Sequence, residues 1–522
     1  MPEASAWFET TQESYAMEQS LINREEKAQH HLWGDFVPFF LFAVAFRSVL
    51  LIIDPQPRFF LGDSESYLFT AWRHWIPNDR SWLYGLFINS LFVFTHSLTA
   101  LIILQSLATA GMCAITATFC RTLEVSRHVS WIALVLLSID PMLLYYDRSI
   151  LTECLGTVTI WLAIVFSLSA FLRNSFLQST VAVILFYAAI CLRTALLPLV
   201  IIIPLVLFLF ACHRSWSRLK IHPEGIKLTD FGRSILVPGI LIVFVPLGMA
   251  GYAWMTGLVT KSPPSLNPKG GTFMIGVVAP ILSPEDFADL GVKEPAGLLK
   301  ESNHTERYLR NWQVFAKQGI AKRLENEVED WREVSRIGKI ASRRAILRNP
   351  FGFIRLFMQE AKDYMDISVQ RKFFPIAFGL DRLLPESLVE SLKLKVREHV
   401  AADLPVRPSV VQRWLQKNIW GLPLLSFLSV LVPAVVLVRS SNLNQKQLLV
   451  ARVVSCGALF YTLSIFAVST DIAPRYLLPM SPMLALLISI QLDAMLLKFK
   501  SRANVHPEGQ GMVSQMENVG LR

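Results

Sequence analysis

Apolar residues in this chain collect in long runs with few charges, interrupted by short polar segments. A run of roughly 18 or more apolar residues is long enough to cross a bilayer as a helix. Such runs fall near 36–53, 98–120, 129–146, 150–172, 177–191, 194–212, 235–257, 419–438, 448–468 and 474–497. The fifth is short, and 84–96 reads as a further re-entrant or interfacial helix. The pattern predicts an all-α integral membrane protein with about ten transmembrane helices. Two large extracytoplasmic loops carry membrane-surface helices.

The order of the runs sets the domain plan. Residues 1–35 are polar and glutamate-rich, ending in "NREEKAQHHLWGD", unlike a secretory signal, and read as a cytoplasmic tail. Residues 36–257 form an N-terminal transmembrane module that includes a first extracytoplasmic loop at 54–97. A large extracytoplasmic loop follows at 258–418, opening with the turn-forming "SPPSLNPKGG". It continues into charged segments of helical apolar spacing, the pattern of solvated or membrane-surface helices. Residues 419–497 hold the last spans, and 498–522 form a cytoplasmic tail. Orientation comes from "RTLEVSRH", "RNS", "HRSWSRLKIHPEGIKLTDFGR", "RSSNLNQK" and "KFKSR". If ten spans alternate, these basic stretches share one side, and the positive-inside rule makes that side cytoplasmic.

Composition agrees. Of 522 residues, 53% are hydrophobic and 17% charged, and mean hydropathy is +0.43, too apolar for a soluble domain. The net charge of +10 is explained by basic cytoplasmic loops, so it does not point to nucleic acid. The six cysteines show no CxxC spacing and none lies in the long loop; they read as small apolar fillers. "NHT" at 303–305 reads as a chance glycosylation triplet, and His74 and His96 as interfacial polar groups. Pro198, Pro204, Pro238 and Pro246 lie within spans, where proline is tolerated.

The candidate chemistry lies at the outward ends of the spans. "FFLGDSESYLF" supplies Asp63 and Glu65; "IDPMLLYYDRSILTECLG" supplies Asp140, Asp147, Arg148 and Glu153. Arg193 follows the fifth run, "STDIAPRYLLPM" carries Asp471 and Arg475, and Arg47 lies inside the first span near its outer end. Ionisable groups at such places are costly and face a cavity or a partner. A carboxylate can take the proton of an attacking hydroxyl. Guanidinium groups bind phosphate oxygens and hold the charge of a phosphate leaving group. Both together, at a membrane surface, suit transfer of a group from a lipid phosphate to an alcohol. The acids are sparse and no histidine sits beside them, so no metal or other cofactor is implied. Tyr67, Phe69, Trp72 and Trp75 read as anchors of an interfacial helix.

These patches resemble the polytopic GT-C glycosyltransferases, in the branch of dolichyl-phosphate-mannose protein mannosyltransferases and bacterial aminoarabinose transferases. The resemblance rests on the Arg47-bearing first span, "FLGDSESYLFTAW", "RSWLYGLFINSLF", "YYDRSILTECLG", "LRNPFGFIRLFMQEAKDYM" and "APRYLLPMSPMLALL". The fifth of these resembles the family's membrane-surface helix before the late spans. What the resemblance implies is an inverting transferase that takes a hexose or pentose from a polyprenyl-phosphate donor on the extracytoplasmic side. Asp63 matches the catalytic base of the first loop. Arg148, Arg193 and Arg475 become donor-phosphate candidates, and Glu65, Asp147 and Glu153 substrate-positioning candidates. The protein mannosyltransferases carry adjacent acids in the first loop, whereas Ser64 separates Asp63 from Glu65 here. That departure weakens a protein acceptor against a lipid or glycan one.

The expected partners are therefore a polyprenyl-phosphate sugar donor, a lipid, glycan or protein acceptor, and membrane lipids, with no nucleic acid. The expected location is a bacterial inner membrane, with the site facing the periplasm or cell exterior. The rival readings are a secondary transporter, a lipid-glycan ligase of the cell envelope, and a non-catalytic envelope scaffold.

Overall fold

The computed structural model describes residues 34–60, 62–221, 228–439 and 443–504. Both predicted tails lie almost wholly outside the described residues. Within them the chain is helical, with no strand and a single isolated bridge between Arg58 and Ser149. Eight helices are long and apolar enough to cross a membrane: Gly34–Ile53, Leu98–Thr122, Glu153–Arg173, Thr194–Ser217, Ile235–Thr260, Gly421–Val438, Gln445–Val468 and Met480–Lys500. The chain is an α-helical, multi-pass membrane protein.

Two of the ten expected spans are shorter helices, for local reasons. The apolar run at 129–146 breaks into Arg127–Ser138 and Pro141–Tyr146. Pro141 lacks an N–H and disfavours helical backbone at the residue before it, so the first helix stops. Asp140 then caps the second, its carboxylate accepting from the backbone N–H groups of Met142 at 2.8 Å and Leu143 at 3.4 Å. Asp140, expected among the site acids, thus has a structural use. The run at 177–191 becomes Phe176–Leu192, 17 residues long. The stretch at 84–96 is the helix Leu83–Thr95, whose 13 residues rise only about 20 Å. The helices Asp63–Arg73 and Leu83–Thr95 end on His74 and His96, both in left-handed backbone, φ 53° and 49°. These histidines therefore serve as helix C-caps.

Glu153–Arg173 lies at the centre of the bundle and Gly34–Ile53 at its edge: 67% against 17% of their apolar windows are buried. Glu153–Arg173 packs on Leu98–Thr122 and Phe176–Leu192. The long helix Leu228–Thr260 packs on Phe176–Leu192 and on the helix from Leu197, which in turn meets Gln445–Val468. The last helix closes the arrangement against Leu98–Thr122, Arg127–Ser138 and Gly421–Val438. Glu153–Arg173 begins, Phe176–Leu192 ends, and the final helix begins at one common end of this bundle.

The large loop is more ordered than solvated surface helices would be. Residues between 275 and 345 close a separate apolar core, with Ile275, Phe287, Leu298, Ile320, Leu324 and Ile337 buried in it. Trp331–Arg348 contributes Val334, Ile337, Ala341 and Ala345, an i, i+3, i+4 stripe facing Gly270–Val278. The two helices cross where neither has a side chain. A Cβ on Gly338 would lie 2.5 Å from the Gly271 carbonyl oxygen, and one on Gly271 would lie 1.8 Å from that of Ser335. Pro350–Tyr364 follows, capped by Asn349, whose side chain accepts from Gly352 N at 2.8 Å. It exposes Phe351, Ile354 and Met358 on one face and buries Leu356, Glu360 and Tyr364 on the other.

Gly338→Leu should abolish this crossing. The expected outcome is rapid proteolytic cleavage within residues 270–348 and a membrane bundle that still resists the protease. Unchanged digestion would show that the crossing is not what holds this core.

Candidate active site

The first loop is stitched to the segment after Tyr146. Arg58 N donates to the Arg148 carbonyl and Ile150 N to the Arg58 carbonyl, each at 2.9 Å. The Ser64 hydroxyl donates to the Ile150 carbonyl at 2.9 Å and accepts from Phe60 N at 2.8 Å. This sets the start of the helix Asp63–Arg73 against the start of Glu153–Arg173. Gly62 precedes the helix with φ 89°, a left-handed backbone that suits glycine. Asp63 occupies the first turn, where the helix dipole favours a negative charge.

Two arginines from opposite ends of the chain meet Asp63. Arg80 reaches back from the turn "PNDR" to one carboxylate oxygen, donates to the Gly62 carbonyl at 3.0 Å, and forms a bidentate pair with Asp79 at 2.8 and 3.0 Å. Arg475 Nη1 donates to the other oxygen of Asp63 at 2.7 Å. The same nitrogen lies 3.5 Å from Glu153 Oε1, and Arg193 Nη1 lies 3.2 Å from that oxygen on another approach. Asp63, Arg80, Arg475, Glu153 and Arg193 form one continuous cluster drawn from four separate parts of the sequence. Rings close around it. The Arg475 guanidinium carbon is 4.2 Å from the Phe60 ring centre, and Arg193 is 5.2 Å from that of Tyr476. The Tyr67 hydroxyl is 3.5 Å from Thr152 Oγ1, itself 3.5 Å from Glu153 Oε2. Tyr67 therefore faces the cluster, packed edge-on against Tyr84, and is not an interfacial anchor as its sequence context suggested.

Burial decides how accessible these groups are. Glu153, Arg193 and Arg475 are buried, while the side chains of Asp63 and Arg80 keep 24% and 17% exposure. The cluster thus opens to the outside at Asp63. Burial raises the Asp63 carboxyl, but Arg80 and Arg475 outweigh it and hold the group below its ordinary range. Burial likewise works against the Arg475 charge, and Tyr476, Asp63, Glu153 and Asp471 more than restore it. Arg475 Nε makes no hydrogen bond, which leaves donor capacity for an anion, while Arg193 Nη1 is held by Glu153. Glu65 sits two residues along the same helix, so it points away from Asp63. It has no ion-pair partner among the described residues, and burial raises its carboxyl.

Arg148 and Asp147 belong to a different network. Arg47 Nε lies 3.2 Å from Asp147, Arg148 Nη1 lies 3.4 Å from Asp54, and Arg58 lies 2.6 Å from Asp54. Arg148 also donates to the Asp54 carbonyl at 3.1 Å, and its Nε is 3.9 Å from Asp147. Arg47, Asp54, Arg58, Asp147 and Arg148 are all buried. Burial pushes the Asp147 carboxyl up to about 6, against the pull of Arg47 and Arg148. This network fastens the first span to the loop segments around it. The phosphate role expected of Arg148 and the positioning role expected of Asp147 therefore have a structural competitor. Arg80, in contrast, drew no attention in the sequence. It follows a proline-containing turn, and only the fold carries it back across 17 residues to Asp63.

No group of three or more His, Cys, Asp or Glu side chains suited to holding a metal ion occurs among the described residues. No family model, curated protein or solved structure matches the chain. The functional reading rests on this geometry and on the sequence patches above.

The buried network generates a stability test. Arg47→Leu leaves Asp147 buried with only a distant partner and should destabilise the protein by about 3–5 kcal/mol. Arg47→Leu with Asp147→Leu should recover most of that loss, read as thermal unfolding in detergent. Equal melting of both variants would show that the pair carries no coupling.

Proposed function

We propose that the protein is a membrane glycosyltransferase that moves a sugar from a polyprenyl-phosphate donor to a hydroxyl acceptor on the extracytoplasmic side, with inversion. The observation that carries this reading is the Asp63 carboxylate, half-open to the outside and gripped by Arg475 and Arg80, with Glu153 and Arg193 behind it. A candidate base and candidate phosphate-binding cations occupy one site at one end of a membrane bundle. The GT-C likeness of the surrounding patches supports the same reading, as does the basic character of the opposite loops.

The mechanism follows from the pairing. With its two arginines in place, Asp63 is a weak base. An incoming donor phosphate is a competing anion for Arg475, and the unused Nε donor of Arg475 and the nearby Arg193 charge favour it. As Arg475 turns to the phosphate, Asp63 loses a neighbouring cation and its basicity rises. Asp63 then takes the proton from the acceptor hydroxyl. The hydroxyl oxygen forms a bond to the anomeric carbon from the face opposite the phosphate. The carbon–oxygen bond to the phosphate breaks with its electron pair, which the arginines stabilise on the departing lipid phosphate. Glu153 keeps Arg193 and Arg475 aligned through this exchange. In this scheme Arg475 and Arg193 serve the phosphate, Arg80 stays on Asp63, and Arg148 takes no part. The isoprenoid tail lies in the lipid beside the bundle, and a bacterial inner membrane with the site facing the periplasm suits these features.

Asp63→Asn keeps the size and polarity of the side chain and removes the base. Transfer from radiolabelled polyprenyl-phosphate sugars to membrane extract should fall by about 10²- to 10⁴-fold. Full activity in this variant, with wild-type melting, would remove Asp63 from the chemistry. The exchange of arginine partners has its own signature. kcat/KM reports the free enzyme, where Asp63 is held low; kcat reports the donor-bound enzyme, where Arg475 has moved to the phosphate. The acid limb of kcat should therefore lie at higher pH than the acid limb of kcat/KM. Coincident limbs would mean that Arg475 stays on Asp63 throughout.

A further inference from the structure

A cavity of about 530 Å³ opens between the large loop and the segment just before Arg475. Its walls come from residues 307–317, the helix Pro350–Tyr364, the helix after it, and the segment Thr470–Ile472. The size falls within the range of roughly 300–1,000 Å³ usual for small-molecule sites. Its floor is charged and dry. Arg310, Glu360 and Asp363 are 4%, 1% and 4% exposed. Arg310 pairs with Glu360, and Arg307 lies 2.6 Å from Asp363. Even so, Arg310 Nε and Glu360 Oε1 make no hydrogen bond. A buried donor and a buried acceptor left unmade each cost about 1–3 kcal/mol, which calls for an explanation in a partner. Trp312 and Phe373 add aromatic faces to the wall.

The chemistry of the lining narrows the ligand. Three arginines and a lysine line the cavity with three carboxyls, so the charges nearly cancel. A divalent cation would meet three guanidinium groups and an ammonium, and a phosphate would meet three carboxyl groups. Polar groups that both donate and accept, beside aromatic faces, match a neutral polyol ring. Its hydroxyls bond in both directions and its C–H face packs on an aromatic side chain. Burial also raises the carboxyl of Glu360, to about 7, and that of Asp471 above its ordinary range.

The cavity adjoins the Asp63 site. Asp471 lines it and lies four residues before Arg475, and Asp63 and Arg475 both act on its carboxyl. The Tyr364 hydroxyl, on the helix that carries Glu360, donates to the Asp471 carbonyl at 3.3 Å and accepts from Ala473 N at 3.3 Å. We infer that this cavity is the acceptor subsite and that it takes a saccharide, held by Arg310 and Glu360 against Trp312, with one hydroxyl directed to Asp63. The acceptor role rests on the glycosyl-transfer reading above; saccharide binding does not.

The test is saturation-transfer difference NMR on the full-length protein, purified in an amine-oxide detergent that carries no sugar. The probes are methyl α-glucoside, methyl α-mannoside and methyl β-galactoside, with a Ser/Thr tripeptide and inorganic phosphate as competitors. At least one methyl glycoside should receive saturation at its ring protons. Trp312→Ala should weaken its binding by about tenfold. Glu360→Gln, which keeps the shape of the floor, should weaken it in the same direction and carries the test if the tryptophan variant does not fold. No binding of any glycoside, binding indifferent to both cavity variants, or displacement by the peptide or by phosphate would overturn the inference. Saccharide binding in a protein that transfers no sugar would overturn the acceptor role and the transferase reading, while leaving the cavity a saccharide site.

Discussion

Charges taken out of water at the end of a membrane bundle must be paired, and that requirement organises this protein. Bringing Asp63, Glu153, Arg193 and Arg475 out of water costs several kcal/mol per ion unless partners compensate. Arg475 meets the cost for two acids at once, touching Asp63 at 2.7 Å and Glu153 at 3.5 Å. It thereby ties the first loop to the head of the last helix, across 412 positions of sequence. The bundle cannot close at this end without assembling the cluster, so folding and the candidate site share one set of contacts.

The neighbouring buried network shows the same constraint with a different result. Arg47, Asp54, Arg58, Asp147 and Arg148 pair with one another and leave little exposed surface. The Asp63 cluster keeps an opening at Asp63 and Arg80. By composition alone the two sets look alike, each a handful of acids and arginines near the outer ends of spans. The distinction is access. One network holds the chain in place, and the other leaves a carboxylate partly exposed at the surface.

The large loop adds a second layer to this picture. Its core between residues 275 and 345 is separate from that of the bundle, and the helix Pro350–Tyr364 links the two regions. That helix presents Glu360 inward to a cavity and Phe351, Ile354 and Met358 outward. An exposed apolar stripe beside a polar pocket is a geometry suited to a membrane surface, where a substrate has a greasy part and a polar part.

What the sequence by itself determined was the membrane-spanning character and the residues at stake. Hydropathy depends on composition over about twenty consecutive residues, so eight spans of the long-helix class were legible at close to their observed bounds. The break at Pro141 was harder, because a single proline ends a helix without altering apolarity; the run ending at Leu192 was already short along the chain. Asp63, Glu153, Arg193 and Arg475 stood out because charge beside apolar sequence is costly wherever it occurs. Which of the charged residues meet was decided by the tertiary structure. Arg148 and Arg193 look equivalent along the chain, yet one pairs with Asp54 and the other with Glu153. Arg80 and Glu360 lie in patches that stand out along the chain without marking these two residues, and Arg310 sits in polar loop sequence where charge is ordinary. Their burial and their partners arise only when distant segments pack, since desolvation is a property of the assembled environment and not of the residue.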